Sequence, residues 1–507
     1  MGEAAAASGP DFSAGIALGE IAEGQTISGR AGDEPVLLSR FDGELYAVSG
    51  GCTHYGAPLG EGLTRKATVR CPWHHACFDL KTGAALRAPA LDPLDRWRVE
   101  IDGERAIVRE KAEAQGKGDK APQTDVRKIV IIGGGAAGLA CANELRRLGY
   151  AREITILSAD RDSPCDRPNL SKDYLAGEAP EEWLFLRSED WYADNRVDLR
   201  LSTDVTKIDA SGRTVLCSSG EEFEFDKLLI ATGSEPNRLE TPGFHGRNVF
   251  TLRSVADARA IAARAEAGSR VVVIGGSFIA LEAAAALRHR NVDVDVVSPE
   301  HVPFERVFGT ELGKSLQGRH ERNGVRFHFG CVATDFHEAT VRLSNGETLE
   351  ADFVLVGIGV RPRVDLARSA GAEVDNGVLV DEHLETAVPG VFAAGDIAAY
   401  PDPIGGERVR IEHWVVAERQ GEVAAANMLG GKRRFDSAPF FWTEQFGLTV
   451  RYVGHASKWD RTEVAGEIGS DSFAVRYFCE GRHCATATVG RDRENLEDEL
   501  KLESRAR

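Results

Sequence analysis

No stretch of this sequence approaches the roughly 18 consecutive apolar residues that a membrane-spanning helix needs. The first residues, Met1-Gly2-Glu3 and four alanines, lack the basic start and long apolar centre of a secretory signal, so a cytoplasmic location is expected. Cysteine is scarce: nine in 507 residues, odd in number and without dense spacing. That excludes a disulfide-stapled scaffold and suits a reducing compartment in which thiols serve as ligands or packing. An excess of positive charge is also missing, since 61 Lys and Arg stand against 79 Asp and Glu, a net charge of −18. Nucleic acid finds no electrostatic footprint on such a chain. What is abundant is glycine, 54 residues, about 11% where about 7% is usual. The length suffices for three or four domains at roughly 150 residues each.

Up to about Glu110 the chain alternates in short pieces such as Glu44-Leu-Tyr-Ala-Val and Trp97-Arg-Val-Glu-Ile, broken by Gly and Pro turns, which predicts a small β domain. Over residues 111–126 the periodicity disappears and Lys, Gly and Pro recur, so this stretch reads as a linker. At Lys128 an apolar run, Ile129-Val-Ile-Ile, enters a glycine cluster and then a helix-period segment from Leu139 to Leu148. A similar unit recurs near Arg270, so two related α/β units are expected.

Cys52-Thr-His54 and Cys71-Pro-Trp-His74, sixteen residues apart, deliver one thiol and one imidazole from each of two loops. This is the Rieske spacing: two thiolates hold one iron of a 2Fe-2S cluster and two neutral imidazoles the other, which raises the potential above that of all-thiolate clusters. A structural zinc site is the competing reading, but zinc fingers place both histidines after both cysteines.

The segment Cys71-Pro-Trp-His-His-Ala-Cys77-Phe-Asp, with the motifs that follow it, resembles apoptosis-inducing-factor-like, FAD-dependent pyridine nucleotide oxidoreductases of the ferredoxin-reductase type that carry an N-terminal Rieske domain. Relatives usually have glycine where this chain has His75. That leaves open whether the second imidazole exchanges with His74 as a ligand. Cys77 has no matching cysteine after His54 and reads as packing.

Gly133-Gly-Gly135-Ala-Ala-Gly138 follows a strand and opens a helix, the context that lets a backbone turn tightly against a pyrophosphate at a helix N-terminus. Asp160, 22 residues after Gly138, is the candidate carboxylate for the adenosine ribose. The family resemblance adds the flavin contacts. Arg167-Pro-Asn-Leu-Ser-Lys172 resembles the loop whose Arg and Lys hold flavin phosphate and ring, and Ala231-Thr-Gly233 a strand end beside the flavin. Arg253 joins the cofactor contacts. Val391-Phe-Ala-Ala-Gly395-Asp396 resembles the second FAD fingerprint, Glu412-His413-Trp414 the segment lining the ring, and Phe440-Phe-Trp442-Thr the start of the C-terminal domain, with its Trp near the flavin.

The second unit reads Gly275-Gly-Ser277-Phe278-Ile-Ala280-Leu-Glu282, with Ser277 and Ala280 at two fingerprint glycine positions. Resemblance assigns Phe278 to cover the flavin face and Glu282 to pair with Lys172 near the reactive nitrogen, where a charge pair tunes the flavin. Glu300, two residues beyond the strand-end Ser298, inclines the coenzyme to NADH, while Arg306 leaves NADPH open.

The expected fold is multidomain: an all-β Rieske domain (12–110), the linker (111–126), two Rossmann-like α/β domains for FAD (127–250 and 381–432) and NAD(P) (251–380), and a C-terminal α+β domain (433–507). No cysteine pair stands beside the flavin motifs for disulfide chemistry, and Cys479 and Cys484 read as cross-strand packing at a turn near Gly481. No histidine spacing suits an oxygen-activating iron, and Cys217, Cys331, Cys479 and Cys484 are too scattered for a further cluster. The expected activity is therefore NAD(P)H-dependent electron transfer through FAD and the cluster to an acceptor protein: an oxygenase component, a ferredoxin or a haem protein. The alternative is an apoptosis-inducing-factor-like NADH-responsive sensor with slow turnover.

Overall fold

The computed structural model describes residues 8–113 and 124–505. Residues 114–123, most of the expected linker, lie outside the described residues. The N-terminal part folds as two antiparallel sheets. Six strands run in the order Ile16–Ala17, Arg105–Lys111, Arg96–Asp102, Glu44–Ser49, Glu34–Phe41, Thr26–Ala31, and four short ones run Leu63–Arg65, Thr68–Arg70, Cys77–Asp79, Ala85–Arg87. Leu37, Val48, Val69, Phe78 and Leu80 are buried together with Cys52 and Cys71, so these cysteines project from the domain's own core. Lys111, the expected first residue of the linker, is instead the last residue of its strand. It pairs with Trp97 across a bulge, and its ammonium bridges Glu34 and Asp95. At the other end Val126 is buried in the core of the next domain.

Strands β1 (Lys128–Ile132) and β2 (Arg270–Ile274) are central in two parallel five-stranded sheets. Both are buried beyond their first residue, which is why each reads as an unbroken apolar run. The first sheet is ordered Val197–Arg200, Glu153–Leu157, β1, Lys227–Ile230, Val391–Ala393, and the second Arg326–Phe329, Asp293–Ser298, β2, Phe353–Val356, Val249–Phe250. Apart from the chain position of the outermost strand the two orders are equivalent, so the repeat in sequence is a repeat of fold. Each glycine turn opens a helix, α1 (Ala136–Arg147) or α2 (Phe278–His289). The expected 251–380 span of the second unit differs at both ends. Its sheet already takes Val249 and Phe250, and Ala367, Ala370, Ala372 and Val378 pack into the core of the first unit. The antiparallel pairing of Ser234–Pro236 with Val360–Pro362 carries the chain back before residue 380.

Three further helices position the site: α3 (Glu305–Arg322), α4 (Trp414–Met428) and α5 (Asp492–Glu503). The C-terminal domain is a five-stranded antiparallel sheet ordered β3 (Phe440–Gln445), Leu448–Gly454, Arg482–Val489, Phe473–Cys479, Arg461–Gly466, with α5 packed on it. The turn Glu480-Gly481 has both residues at left-handed φ, 51° and 74°, and Cys479 and Cys484 on either side are free thiols. Among the described residues no helix is long and apolar enough to cross a membrane.

Candidate functional site

Two tight turns carry the four candidate cluster ligands. The Cys52 turn is closed by Cys52 N–H to Ala57 O at 2.9 Å and Gly56 N–H to Cys52 O at 2.8 Å. The Cys71 turn is closed by Cys71 N–H to Ala76 O at 2.8 Å and His75 N–H to Cys71 O at 3.2 Å. The turns face each other, and their donors pair by kind. The Cys52 and Cys71 thiols are close enough to perturb each other's ionisation, and His54 Nδ1 lies 3.1 Å from His74 Nδ1. Among the described residues no three His, Cys, Asp or Glu side chains converge as they would on one ion. A two-and-two set is what a cluster with two thiolate and two imidazole ligands requires. Burial pushes His54 down to about 3 and His74 well below its ordinary value, so both rings are neutral and available as ligands. Burial pushes Cys71 up, but the Cys52 thiol and the amides of His74 and Trp73 outweigh it and bring Cys71 below its ordinary value. His75 is not among these donors: its ring stacks on Phe440, with centroids 3.9 Å apart.

A cleft between the two α/β units and β3 encloses about 1550 Å³, part of it open to solvent. Of the residues expected to hold cofactor, Gly135, Arg167, Lys172, Gly233, Arg253, Ser277, Phe278, Glu282, Gly395, Asp396, Glu412, His413, Trp414 and Trp442 line it. Gly133 and Gly138 stand just behind. A Cβ on Gly133 would come 2.1 Å from Ala231 O, and one on Gly138 2.0 Å from Gly133 O. A Cβ on Gly135 would meet nothing closer than 3.7 Å, so the room in front of the α1 N-terminus faces the cleft, where a pyrophosphate is favoured. Asp160 lies in a side recess with Gly134 and Arg167, and Arg167 donates to it at 3.2 Å.

Three cations, Arg167, Lys172 and Arg253, line the cleft together with three carboxylates, Glu282, Asp396 and Glu412. Arg167 is pushed down by burial and by neighbouring Arg253, the situation of paired cations suited to a diphosphate. A Ser254–Asp257 capping box fixes the backbone of Arg253, whose N–H donates to Asp257 Oδ2 at 3.0 Å. Its guanidinium then meets Asp396 at 2.7 Å, and Ser234 donates to the same carboxylate at 2.8 Å. Burial pushes Asp396 up, but Arg253 and Ser234 hold it below the usual range. Arg253 Nε and His413 Nδ1 are buried without a hydrogen-bond partner among the described residues, polar capacity that a bound cofactor fits.

Lys172 Nζ and Ser171 Oγ each donate to Glu282 Oε2 at 2.6 Å. Sequence reasoning pairs Lys172 with Glu282 but misses the other oxygen, which accepts from Thr443 Oγ1 at 2.7 Å. Gln445 Nε2 donates to Thr443 Oγ1 at 3.0 Å, and His320 Nε2 lies 2.7 Å from Gln445 Oε1. Burial pushes His320 down to about 4, so the neutral ring donates through Nε2–H and the whole relay points toward Glu282. Period-2 alternation in β3 hints at Thr443 and Gln445 sharing a face, but nothing in the chain links them to residue 320.

In the second glycine turn a Cβ on Gly275 would sit 2.3 Å from Gly357 O. Ala280 is accommodated because Gly357 stands opposite, where a Cβ would lie 2.9 Å from that of Ala280. The fingerprint glycine missing from α2 is thus made up on the facing strand end. Ser298 Oγ donates to Glu300, and Arg306 lies 3.5 Å from Glu300, so the strand end presents a carboxylate with a cation behind it.

The cluster turns rest on this cleft. His74 packs against Trp442 with ring centroids 3.9 Å apart, and Trp442 also lines the cleft. Tyr55, stacked on His54 at 4.0 Å, donates to Asp166 beside Arg167.

Comparison with known proteins agrees with this division. Residues 15–98 match the Rieske [2Fe-2S] domain, 127–421 the pyridine nucleotide-disulphide oxidoreductase family and 440–503 the reductase C-terminal domain. The chain is 34% identical to human apoptosis-inducing factor 3 over 492 residues, 93% of this chain and 81% of that protein. It is 37% identical to the ferredoxin–NAD(+) reductase component of the anthranilate 1,2-dioxygenase system of Burkholderia cepacia, over 72% of this chain and 91% of that protein. Among solved structures, the covalent putidaredoxin reductase–putidaredoxin complex is similar at a TM-score of 0.72 and 33% identity, covering 75% of this chain and 93% of the other. The chain belongs to the pyridine nucleotide-disulphide oxidoreductase family, as an FAD- and NAD(P)H-dependent flavoprotein with its own Rieske 2Fe-2S domain.

Proposed function

We propose that this chain takes electrons from NADH at the cleft and hands them, through its own Rieske domain, to an acceptor protein such as an oxygenase component, a ferredoxin or a haem protein. The contact of His74 with Trp442 carries this reading, because it sets a cluster ligand one aromatic ring from the flavin cleft. Relatives named as dioxygenase reductase components and a reductase solved with putidaredoxin support the acceptor class. When bound, FAD accepts a hydride from the nicotinamide and the cluster carries electrons singly.

The chain's own residues supply the rest. Gly133, Gly135 and Gly138 let α1 present its N-terminal amides to a diphosphate, with Arg167 and Arg253 as counter-charges and Asp160 near the adenosine end. Asp396, Gly395 and Gly233 would hold the ribityl region, and Glu412, His413, Trp414 and Trp442 would line the ring. Phe278 would cover the ring on the nicotinamide side, and Lys172, braced by Glu282, would supply positive charge to it. Gly275, Ser277, Ala280 and Glu300 receive the coenzyme, and the Ser298–Glu300 pair favours the free hydroxyl of NADH. Cys52, His54, Cys71 and His74 would hold the cluster. The matching division is a cluster domain to 111, a nucleotide domain over 249–362 and a C-terminal domain from 433, with the flavin domain between them.

Anaerobic stopped-flow reduction by NADH and by NADPH, with low-temperature EPR, tests this. Flavin bleaching, faster with NADH, followed by a Rieske resonance is expected. His74→Ala should lose the resonance and keep the bleaching. Slow bleaching with the cluster left oxidised would favour the sensor reading.

A further inference from the structure

One buried ionic group joins three domains: Arg70 and Arg87 of the cluster domain, Arg419 of α4, and Glu499 and Glu503 of α5. Glu499, fully buried, meets Arg70, then Arg419 at 3.1 Å and Arg87 at 3.8 Å. Glu503 meets Arg70 at 2.9 Å and also Arg87. Arg419 donates in addition to His75 O at 3.2 Å and Ala88 O at 3.4 Å, both on the cluster domain. Burial pushes the Glu499 carboxyl up, yet Arg70, His75, Arg87 and Arg419 together hold it well below the usual range.

His75 occupies the centre of this contact. Its φ is +62°, a conformation that L residues seldom adopt, and its side chain is fully buried. The ring lies flat on Phe440 at 3.9 Å, with Nδ1 3.2 Å from Glu499 Oε2 at an angle short of a hydrogen bond. Phe440 and Trp442 alternate on one face of β3. Consecutive histidines therefore meet alternate aromatics, His75 on Phe440 and His74 on Trp442. Buried ion pairs add little net stability over apolar packing, but their directional bonds can reject every arrangement except one.

The geometry points to a docking latch: this ionic group, with His75 as a positioning residue, holds the Rieske domain on the reductase in the single pose that sets His74 against Trp442. The latch rests on the proposed function only for what the pose serves; the docking is legible from the contacts themselves.

Hydrogen exchange and small-angle scattering on the full-length holoprotein test it, using Glu499→Gln, His75→Gly and the double variant Arg70→Met with Glu499→Met. The double variant removes one charge of each sign and leaves Arg419 its carbonyl partners His75, Ala88 and Ala438, so it carries the test if Glu499→Gln fails to accumulate. Exchange in 70–77 and 495–503 should rise about tenfold together, with a larger radius of gyration. Cluster reduction after flavin bleaching should slow by about tenfold or more, while the resting Rieske resonance and the bleaching itself stay unchanged. Wild-type protection and wild-type radius in all variants would overturn the latch. A wild-type protein that shows this protection but never reduces its cluster would overturn the functional reading and leave the latch standing.

Discussion

Glu282 accepts three hydrogen bonds from two parts of the chain: Lys172 and Ser171 of the flavin loop, and Thr443 of the C-terminal sheet. Thr443 is itself oriented by Gln445 and His320, so a side chain on α3 acts on the flavin charge pair through two intermediates. Cooperative polarisation along such a buried chain strengthens its last bond. Thr443→Val keeps the shape and deletes that bond, at a cost of about 1–3 kcal/mol for the unsatisfied acceptor. It should lower the Tm and slow flavin bleaching by NADH, whereas Thr443→Ser should restore both. Equal bleaching rates in Val and Ser variants would dismiss the relay. The individual partners were not legible in sequence, because positions 282, 320 and 443 are local in space only.

At the scale of elements the two glycine turns make a natural comparison. Both hold a glycine at strongly positive φ, Gly133 at 114° and Gly275 at 124°, each pressed against the carbonyl of a neighbouring strand end. The motif was legible because the G-x-G-x-x-G constraint is local: strand, tight turn and helix lie within a dozen or so residues. Gly138→Ala would put a methyl 2.0 Å from Gly133 O. The protein should then purify with a low flavin-to-protein ratio and lose about 1–3 kcal/mol of stability. Ser277 places a side chain where the equivalent Gly135 leaves the cleft open. Ser277→Gly should therefore tighten NADH binding, read as a several-fold lower KM with little change in the saturating bleaching rate. An unchanged or higher KM would show that the serine contributes to coenzyme binding.

At the scale of the whole molecule, burial falls on two carboxylates of α4, Glu418 and Glu422. Burial, then the nearby Glu144, pushes Glu422 up to about 7, against partial relief from Arg433, Arg147 and Arg419. A carboxyl whose folded value is raised binds more protons folded than unfolded. Its contribution therefore falls as pH rises from the ordinary carboxylate range through about 7, and is level above that. Glu422→Gln removes this term. The variant's Tm should match wild type near the acid end of that window and exceed it at higher pH, as thermal melts across the range would read. Glu499 acts in the opposite sense, because its value is held low and its contribution is lost only as pH falls. The acidic net charge of −18 marks none of this, since the decisive charges are buried ones.

The chain by itself determined what depends on near neighbours. Alternation marked the β domain, the apolar runs at Ile129 and Val271 marked buried parallel strands, and the spacing of Cys52, His54, Cys71 and His74 marked a cluster site. The boundaries shifted where distant pairing decided them, as when Lys111 joined a strand through Trp97 and Val249 joined the second sheet. Only the tertiary structure decided which domain covers the flavin cleft, why His75 is buried beside Glu499, and that Trp442 touches His74. The physical reason is separation along the chain: more than 360 residues lie between those two rings, and burial, which makes such contacts directional and strong, exists only after the domains have closed on one another.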